Sequence, residues 1–139
     1  MRDFELGILT PTGEGFSGRV QELYLRTTGG EVGILAGHTD YLAGVVPCAA
    51  FLTDSEGNGR NAFCGGGFLS VLGGIVTLTV DEFVFSEALD REAVKQARDT
   101  AATEFAACDA KKEPEQAQLL KETLARAEAK FRAVDNESK

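Results

Sequence analysis

The chain has 139 residues, a hydrophobic fraction of 43% and a net charge of −8. That length suits one ordinary domain or a small domain with an appendage, and its apolar content sets it apart from disordered chains. An acidic chain lacks the clustered Lys and Arg that a phosphate-backbone binder needs, so general nucleic-acid binding is excluded.

Short strands separated by turns account for the first 86 residues. Phe4, Leu6 and Ile8 alternate with Glu5, Gly7 and Leu9, a mostly apolar first strand. From Arg19 to Thr27, Leu23 and Leu25 point one way while Glu22, Tyr24 and Arg26 point the other, a half-buried pattern. The run from Gly29 to His38 holds four glycines, one carboxylate (Glu31) and the only histidine; it reads as turn, short strand, turn. Tyr41 to Val46 and Ala49 to Thr53 are further apolar runs, followed by the turn signal Asp54-Ser55-Glu56-Gly57-Asn58-Gly59 and a return strand at Asn61 to Cys64. Phe68 to Leu72, the pair Gly73-Gly74, then Ile75 to Val80 make the clearest hairpin, because two glycines accept the positive φ of a tight loop. A last short strand is expected at Phe83 to Phe85. Many short strands at regular spacing predict a β-sandwich or barrel.

After Ser86 glycine disappears, and alanine and charged residues dominate. Asp90 is placed to cap a helix whose apolar side runs Ala93, Ala97, Ala101, Phe105 and Cys108. Residues 109–113 interrupt it, and Pro114 suits the first turn of a second helix. There Ala117, Leu120, Leu124, Ala127, Phe131 and Val134 form a heptad-like seam about 20 residues and roughly 30 Å long. A short link makes the pair an antiparallel hairpin. Its alanine-rich seam buries little area per residue, so the hairpin depends on packing against the sandwich or a partner. Residues 1–85 carry 4 basic and 10 acidic residues, net −6, and residues 86–139 carry 10 and 12, net −2. Most basic side chains therefore sit in the helical part. They form either a solvated face or a surface for an acidic partner.

The search for reactive chemistry finds little. Cys48, Cys64 and Cys108 have no C-x-x-C spacing and form no even framework, which predicts a reducing compartment. Nothing places His38 beside a cysteine as base and nucleophile, and one histidine with scattered cysteines lacks metal-ligand spacing. Gly65-Gly66-Gly67 lacks the Gly-Lys-Ser/Thr ending of a phosphate-cradling loop and instead predicts a bulge or close strand packing. Asn136-Glu137-Ser138 fits a glycosylation acceptor only by accident, since the charged start of the chain is no secretory signal. No run approaches the roughly 20 apolar residues of a membrane helix.

Gly30-Glu31-Val32-Gly33-Ile34-Leu35-Ala36-Gly37-His38 resembles the Gly-Glu-x-Gly-Ile-Leu-x-Gly-His signature of the epsilon subunit of F-type ATP synthases. Thr10-Pro11 with Phe16-Ser17-Gly18, Leu42 with Val46-Pro47, Gly66-Gly67-Phe68-Leu69-Ser70-Val71 and Val76-Thr77-Leu78 resemble that family's other motifs in order and spacing. Cys48 departs from the family's glycine after Pro47. The resemblance implies an α+β protein: a sandwich of about ten strands over residues 1–86 and a C-terminal antiparallel α-helical hairpin over 87–139. It implies a non-catalytic rotor subunit of the central stalk, coupling proton or sodium flow to ATP synthesis and restraining ATP hydrolysis through the hairpin. The implied partners are the gamma subunit, the c-subunit ring, and the beta (and alpha) subunits, with peripheral attachment at the cytoplasmic face of a bacterial cell membrane; the missing presequence favours this over a mitochondrial setting. By position, Glu31 matches the loop that meets the c ring and His38 lies near gamma. Lys121, Arg126, Lys130 and Arg132 match in kind the basic second helix of the inhibitory arm. No cofactor is implied except ATP, which some members bind at Ile/Leu-Asp-x-x-Arg-Ala. Here Leu89-Asp90 keeps the first pair, Ala93-Val94 replaces Arg-Ala, and Arg91 or Arg98, on different helix faces, is the guanidinium at hand to replace the lost one. The alternative is a free-standing β-sandwich that binds a ligand or peptide, with a dimerising hairpin.

Overall fold

The computed structural model describes residues 2–137, with side chains to residue 135. Among them are nine strands, a 3₁₀ turn at Ser86–Ala88 and two helices: β1 Phe4–Thr10, β2 Gly13–Thr27, β3 Gly30–Leu35, β4 Tyr41–Val45, β5 Cys48–Asp54, β6 Gly59–Cys64, β7 Gly67–Leu72, β8 Ile75–Val80, β9 Phe83–Phe85, α1 Arg91–Ala107 and α2 Pro114–Glu137. The Asn136 acceptor pattern lies outside the described side chains. Nine strands form the sandwich among the described residues, in keeping with the expected count of about ten. Phe16, Ser17 and Gly18 pair with Ile8, Gly7 and Leu6 of β1, so β2 runs unbroken for 15 residues.

The sheet is continuous and folded over itself, in the order β1-β8-β7-β4-β2-β5-β6-β9, with β3 on β2. Because β2 also pairs β1, five of these strands close into a ring. One edge of β2 serves two partners in turn: Val20 to Tyr24 lie against β5, and Thr27 lies against Val45 of β4. Inside are Leu6, Ile8, Val20, Leu23, Ile34, Leu52, Leu69 and Leu78, all at most 1% exposed. The main core draws only on sandwich residues. At Gly73 and Gly74 the φ angles are +58° and +83°, so the double glycine does form the two-residue loop between β7 and β8.

Asp90 caps α1: its carboxylate accepts from the backbone N–H of Glu92 (3.0 Å) and Ala93 (3.3 Å). The hairpin is antiparallel, with Arg91 at the start of α1 paired to Asp135 near the end of α2 at 3.2 Å. On α2 the expected seam is buried or half-buried at every position. On α1 the expected face is off by one residue at its start. Ala93 and Ala97 are exposed, while Val94 and Ala101 are buried and Arg98 is half-buried. The larger apolar Val94 turns inward, and Arg98 follows one turn later with its guanidinium 4.1 Å from the Phe131 ring centre.

Candidate functional site

Three surface features carry the chemistry that the fold presents. The first is the tip of the β2–β3 hairpin. Thr27 pairs with Gly30 across a two-residue turn, the Thr27 hydroxyl donates to the Gly30 carbonyl (2.9 Å), and the same oxygen accepts from the Gly29 N–H (3.1 Å). Gly30 has φ of +118°, outside the reach of ordinary side chains. Glu31 is the second residue of β3 instead of a turn residue. Its side chain is 81% exposed and, among the described residues, is held by Arg26 at 3.5 Å. A carboxylate so presented remains open to stronger, charge-assisted bonds.

His38 stands beyond the other end of β3. Its Nδ1 lies 2.8 Å from the Thr39 carbonyl oxygen, which can only accept, so this bond places the ring proton on Nδ1. The ring packs edge-on against Tyr41, with centroids 5.5 Å apart. Neither Cys48 nor Cys64 is among these partners. Cys48 Sγ instead accepts from the Arg26 N–H, and Cys64 bonds the Gly65 carbonyl. No group of three or more His, Cys, Asp or Glu gathers into a possible metal site among the described residues.

The second feature was hidden in the sequence. Leu42, Phe68 and Leu72 are 74%, 63% and 66% exposed, and Ile75 is also exposed. Register brings them together: Leu42 lies opposite Ser70, whose same-face neighbours along β7 are Phe68 and Leu72, and Leu72 lies opposite Ile75. Apolar side chains thus cover an outward face of β4, β7 and β8. Their β-type alternation was legible, but alternation alone does not say which phase faces out. Tyr41, which His38 packs against, lies opposite buried Val71 and leans on the inner core, so His38 stands at the end of β4 and not on this face. Asp40 fastens the same corner by accepting from the Gly73 N–H at 3.0 Å.

The third feature is the seating of the helical arm. Gly65 bonds the Glu82 carbonyl (2.7 Å), and the Asp81 N–H donates to the Gly66 carbonyl (3.0 Å). A Cβ on Gly65 would run into the Asp81 carboxylate, so the glycine run serves the close packing expected of it. Asp81 and Glu82 are thereby fixed beneath α2. Arg126 reaches Asp81 at 3.2 Å and Glu82 at 2.8 Å, and Lys130 reaches Glu82 at 3.3 Å. Both cations also lie about 5 Å over the Phe63 ring. Ala129 and Ala133, fully buried, let α2 approach β5 and β6. Lys121 is exposed on α2, and Arg132 is exposed beside a groove shared with Arg26, Glu31 and Cys48.

A groove of about 510 Å³ opens where the helices leave the sandwich, lined by Leu89, Asp90, Ala93, Thr123, Arg126 and Lys130 among others. Leu89 and Asp90 therefore share a site, but Arg98 does not belong to it. Its guanidinium stacks on Phe131 and pairs with Asp99 at 2.9 Å. The cations facing the Leu-Asp pair, Arg126 and Lys130, come from α2 and are brought there by the fold rather than by the motif.

Residues 3–86 match the family model described as the β-sandwich domain of the ATP synthase delta/epsilon chain. The ATP synthase epsilon chain of Clostridium acetobutylicum is 31% identical over 99 residues, covering 71% of this chain and 74% of that one. That of Cutibacterium acnes is 29% identical over 97 residues, covering 69% and 66%. In fold, the chain resembles one from the Euglena gracilis mitochondrial ATP synthase OSCP/F1/c-ring structure, with TM-score 0.75, 21% identity and coverage of 99% and 82%. A chain of the Tetrahymena thermophila mitochondrial ATP synthase central stalk and c ring gives TM-score 0.53, 17% identity and coverage of 88% and 97%. With its whole sandwich inside the family model and its epsilon-chain relatives aligned along most of their length, this chain belongs to the ATP synthase epsilon chain family.

Proposed function

We propose that the chain is a non-catalytic rotor subunit of the central stalk of an F-type ATP synthase. It couples ion flow through the membrane sector to ATP synthesis and restrains ATP hydrolysis. The observation that carries this reading is the uncovered apolar face of Leu42, Phe68, Leu72 and Ile75, which suits a lasting protein partner. That partner is the gamma subunit, with His38 near it, while Glu31 at the hairpin tip meets the c ring. Residues 1–86 form the docking unit and residues 87–139 the arm. The subunit is held peripherally at the membrane through the complex, on the cytoplasmic face in a bacterium; no described helix is long and apolar enough to cross a bilayer.

The arm's role follows from competition. Arg126 and Lys130 cannot pair with Asp81 and Glu82 and at the same time with an acidic segment of a beta (or alpha) subunit. Docked and extended positions therefore exclude each other. Half-exposed ion pairs are each worth about 0–1 kcal/mol, so the exchange is within reach of ordinary partner affinities. Lys121 and Arg132, already exposed, add to the extended arm's positive side. The seam between α1 and α2 is filled within the chain, which favours an arm folded on itself over a dimerising hairpin.

Two measurements test this. Phe68→Glu should keep the fold, because the side chain is already in water, yet abolish co-purification with gamma. Removal of residues 87–139 should leave assembly intact and raise the ATPase activity of the complex. Unchanged hydrolysis on truncation would overturn the inhibitory role.

A second reading is favoured by the groove at the root of the arm. Arg126 and Lys130 bring two cations to Leu89 and Asp90, where Ala93 stands in place of the motif's arginine. ATP bound there would hold the arm down. Titration calorimetry with ATP should detect binding that Arg126→Ala removes; no heat in either would end this reading.

A further inference from the structure

Cys48 and Cys64 lie directly opposite each other on the antiparallel strands β5 and β6. Directly opposed residues point to the same face, with Cα atoms about 4.5 or 5.5 Å apart depending on the pair type. Both separations fall in the range of roughly 4.4–6.8 Å that a disulfide spans. The two side chains therefore stand side by side on one face of the strand pair.

Access is unequal. Beyond Tyr24 the ladder between β2 and β5 ends, because the edge of β2 passes over to β4. At that split the Arg26 N–H has no backbone acceptor on β5, and Cys48 Sγ takes it at 3.4 Å. Cys48 consequently lines an open groove of about 610 Å³ with Arg26 and Arg132, whereas Cys64 is fully buried behind it. Cys108 belongs to the far end of α1.

We propose that Cys48 and Cys64 are a redox-modification site, a cross-strand dithiol that an anionic low-molecular-weight disulfide entering this groove closes to a disulfide bond. The neighbouring Cys64 thiol, followed by the hydrogen bond from the Arg26 N–H, brings the Cys48 thiol down to about 7 against the opposing effect of burial. The neighbouring Cys48 and burial push Cys64 up, so Cys48 is the more readily ionised thiol of the pair.

In the first step the Cys48 thiolate attacks one sulfur of the small disulfide RSSR. A Cys48–SR bond forms, the old S–S bond breaks, and its electron pair leaves on RS⁻. Cys64 then gives up its proton to that thiolate and attacks Cys48 Sγ, expelling the second RS⁻, which takes a proton from water. The two cysteines lose two electrons and two protons in all, and RSSR becomes two RSH. At the groove Arg26 is paired with Glu31 at 3.5 Å, so it is the exposed guanidinium of Arg132 that favours a carboxylate-bearing disulfide such as glutathione disulfide.

Trypsin provides a direct readout, since cleavage after Arg26, Arg60 and Arg91 puts Cys48 on peptide 27–60 and Cys64 on peptide 61–91. The full chain, treated with glutathione disulfide under native conditions, alkylated and digested, should lose most of both free peptides to a single linked species that reductant splits. With Cys64→Ser, glutathione should stay on Cys48 as a mixed disulfide. Free, alkylatable Cys48 and Cys64 at a dose that glutathionylates Cys108 would overturn the proposal. So would linkage that appears only in urea.

Discussion

Gly67 and Gly7 separate two meanings of one residue type. A Cβ on Gly67 would run into the backbone carbonyl of Thr79 and lie 2.8 Å from the Val80 Cα, while a Cβ on Gly7 meets nothing within 4 Å. Backbone cannot swing aside as a side-chain end can, so Gly67→Ala should cost about 3 kcal/mol, the upper range of overpacking. Gly7→Ala should change stability by less than about 0.5 kcal/mol. Urea unfolding monitored by circular dichroism distinguishes them. The sequence displayed both glycines alike, since only the pairing of Gly67 with Val80 creates the close approach. Electrostatics at the residue scale is more modest. The hydrogen bond from Arg60 holds the Glu87 carboxyl below its ordinary 4.5, and Arg60 also stacks on Phe85. A depressed carboxyl adds stability above its unfolded value and loses it as pH falls through the folded one. Since Glu87 is half-exposed, solvent screening limits this to about 0.5 kcal/mol. Wild type should therefore exceed Glu87→Gln by that much near neutrality, and the difference should fade as pH falls below the ordinary carboxylate range.

At the scale of elements, period and punctuation made most strands and both helices legible before any coordinates. Alternating apolar residues mark β1 and the second half of β2, Gly73-Gly74 marks a hairpin, and Asp90 and Pro114 mark helix starts. What stayed hidden depends on a second, tertiary partner. Residues 13–18 lack alternation and become strand because β1 lies beside them. The α2 seam was visible as a leucine and phenylalanine row, but Ala129 and Ala133 were not, since alanine occurs on every face of this helix. These two methyls meet the sheet, so Ala129→Leu should push α2 off β5 and β6 without weakening the helix itself, leucine being a good helix former. Hydrogen exchange of α2 amides should quicken by about tenfold or more, equivalent to roughly 1.4 kcal/mol. The exposed Ala125→Leu, on the same helix, should leave exchange unchanged. Equal exchange in both variants would mean that close approach at Ala129 does not seat the arm.

Taken whole, the molecule divides its energy unevenly. Its main core lies inside the sandwich, whereas the arm is seated by two alanines, three half-exposed ion pairs and the covering of Phe63. Phe63 faces α2, where Arg126 and Lys130 lie over its ring, and it is fully buried only because the arm covers it. A fragment ending at residue 86 should consequently fold and unfold cooperatively, as a unit whose core is complete. The coupling can be measured by making the same substitution in both lengths of chain. Phe63→Ala in the full chain removes the ring from a closed site and should cost about 3 kcal/mol. In the fragment the ring is already open to water on one side, and the cost should fall to about 1 kcal/mol. The difference, read from urea midpoints and slopes, is the share of stability that arm and sandwich lend each other. A value near 2 kcal/mol suits an arm that stays down alone yet yields to a partner; equal costs in both lengths would show that Phe63 belongs to the sandwich and that the arm rests on its ion pairs.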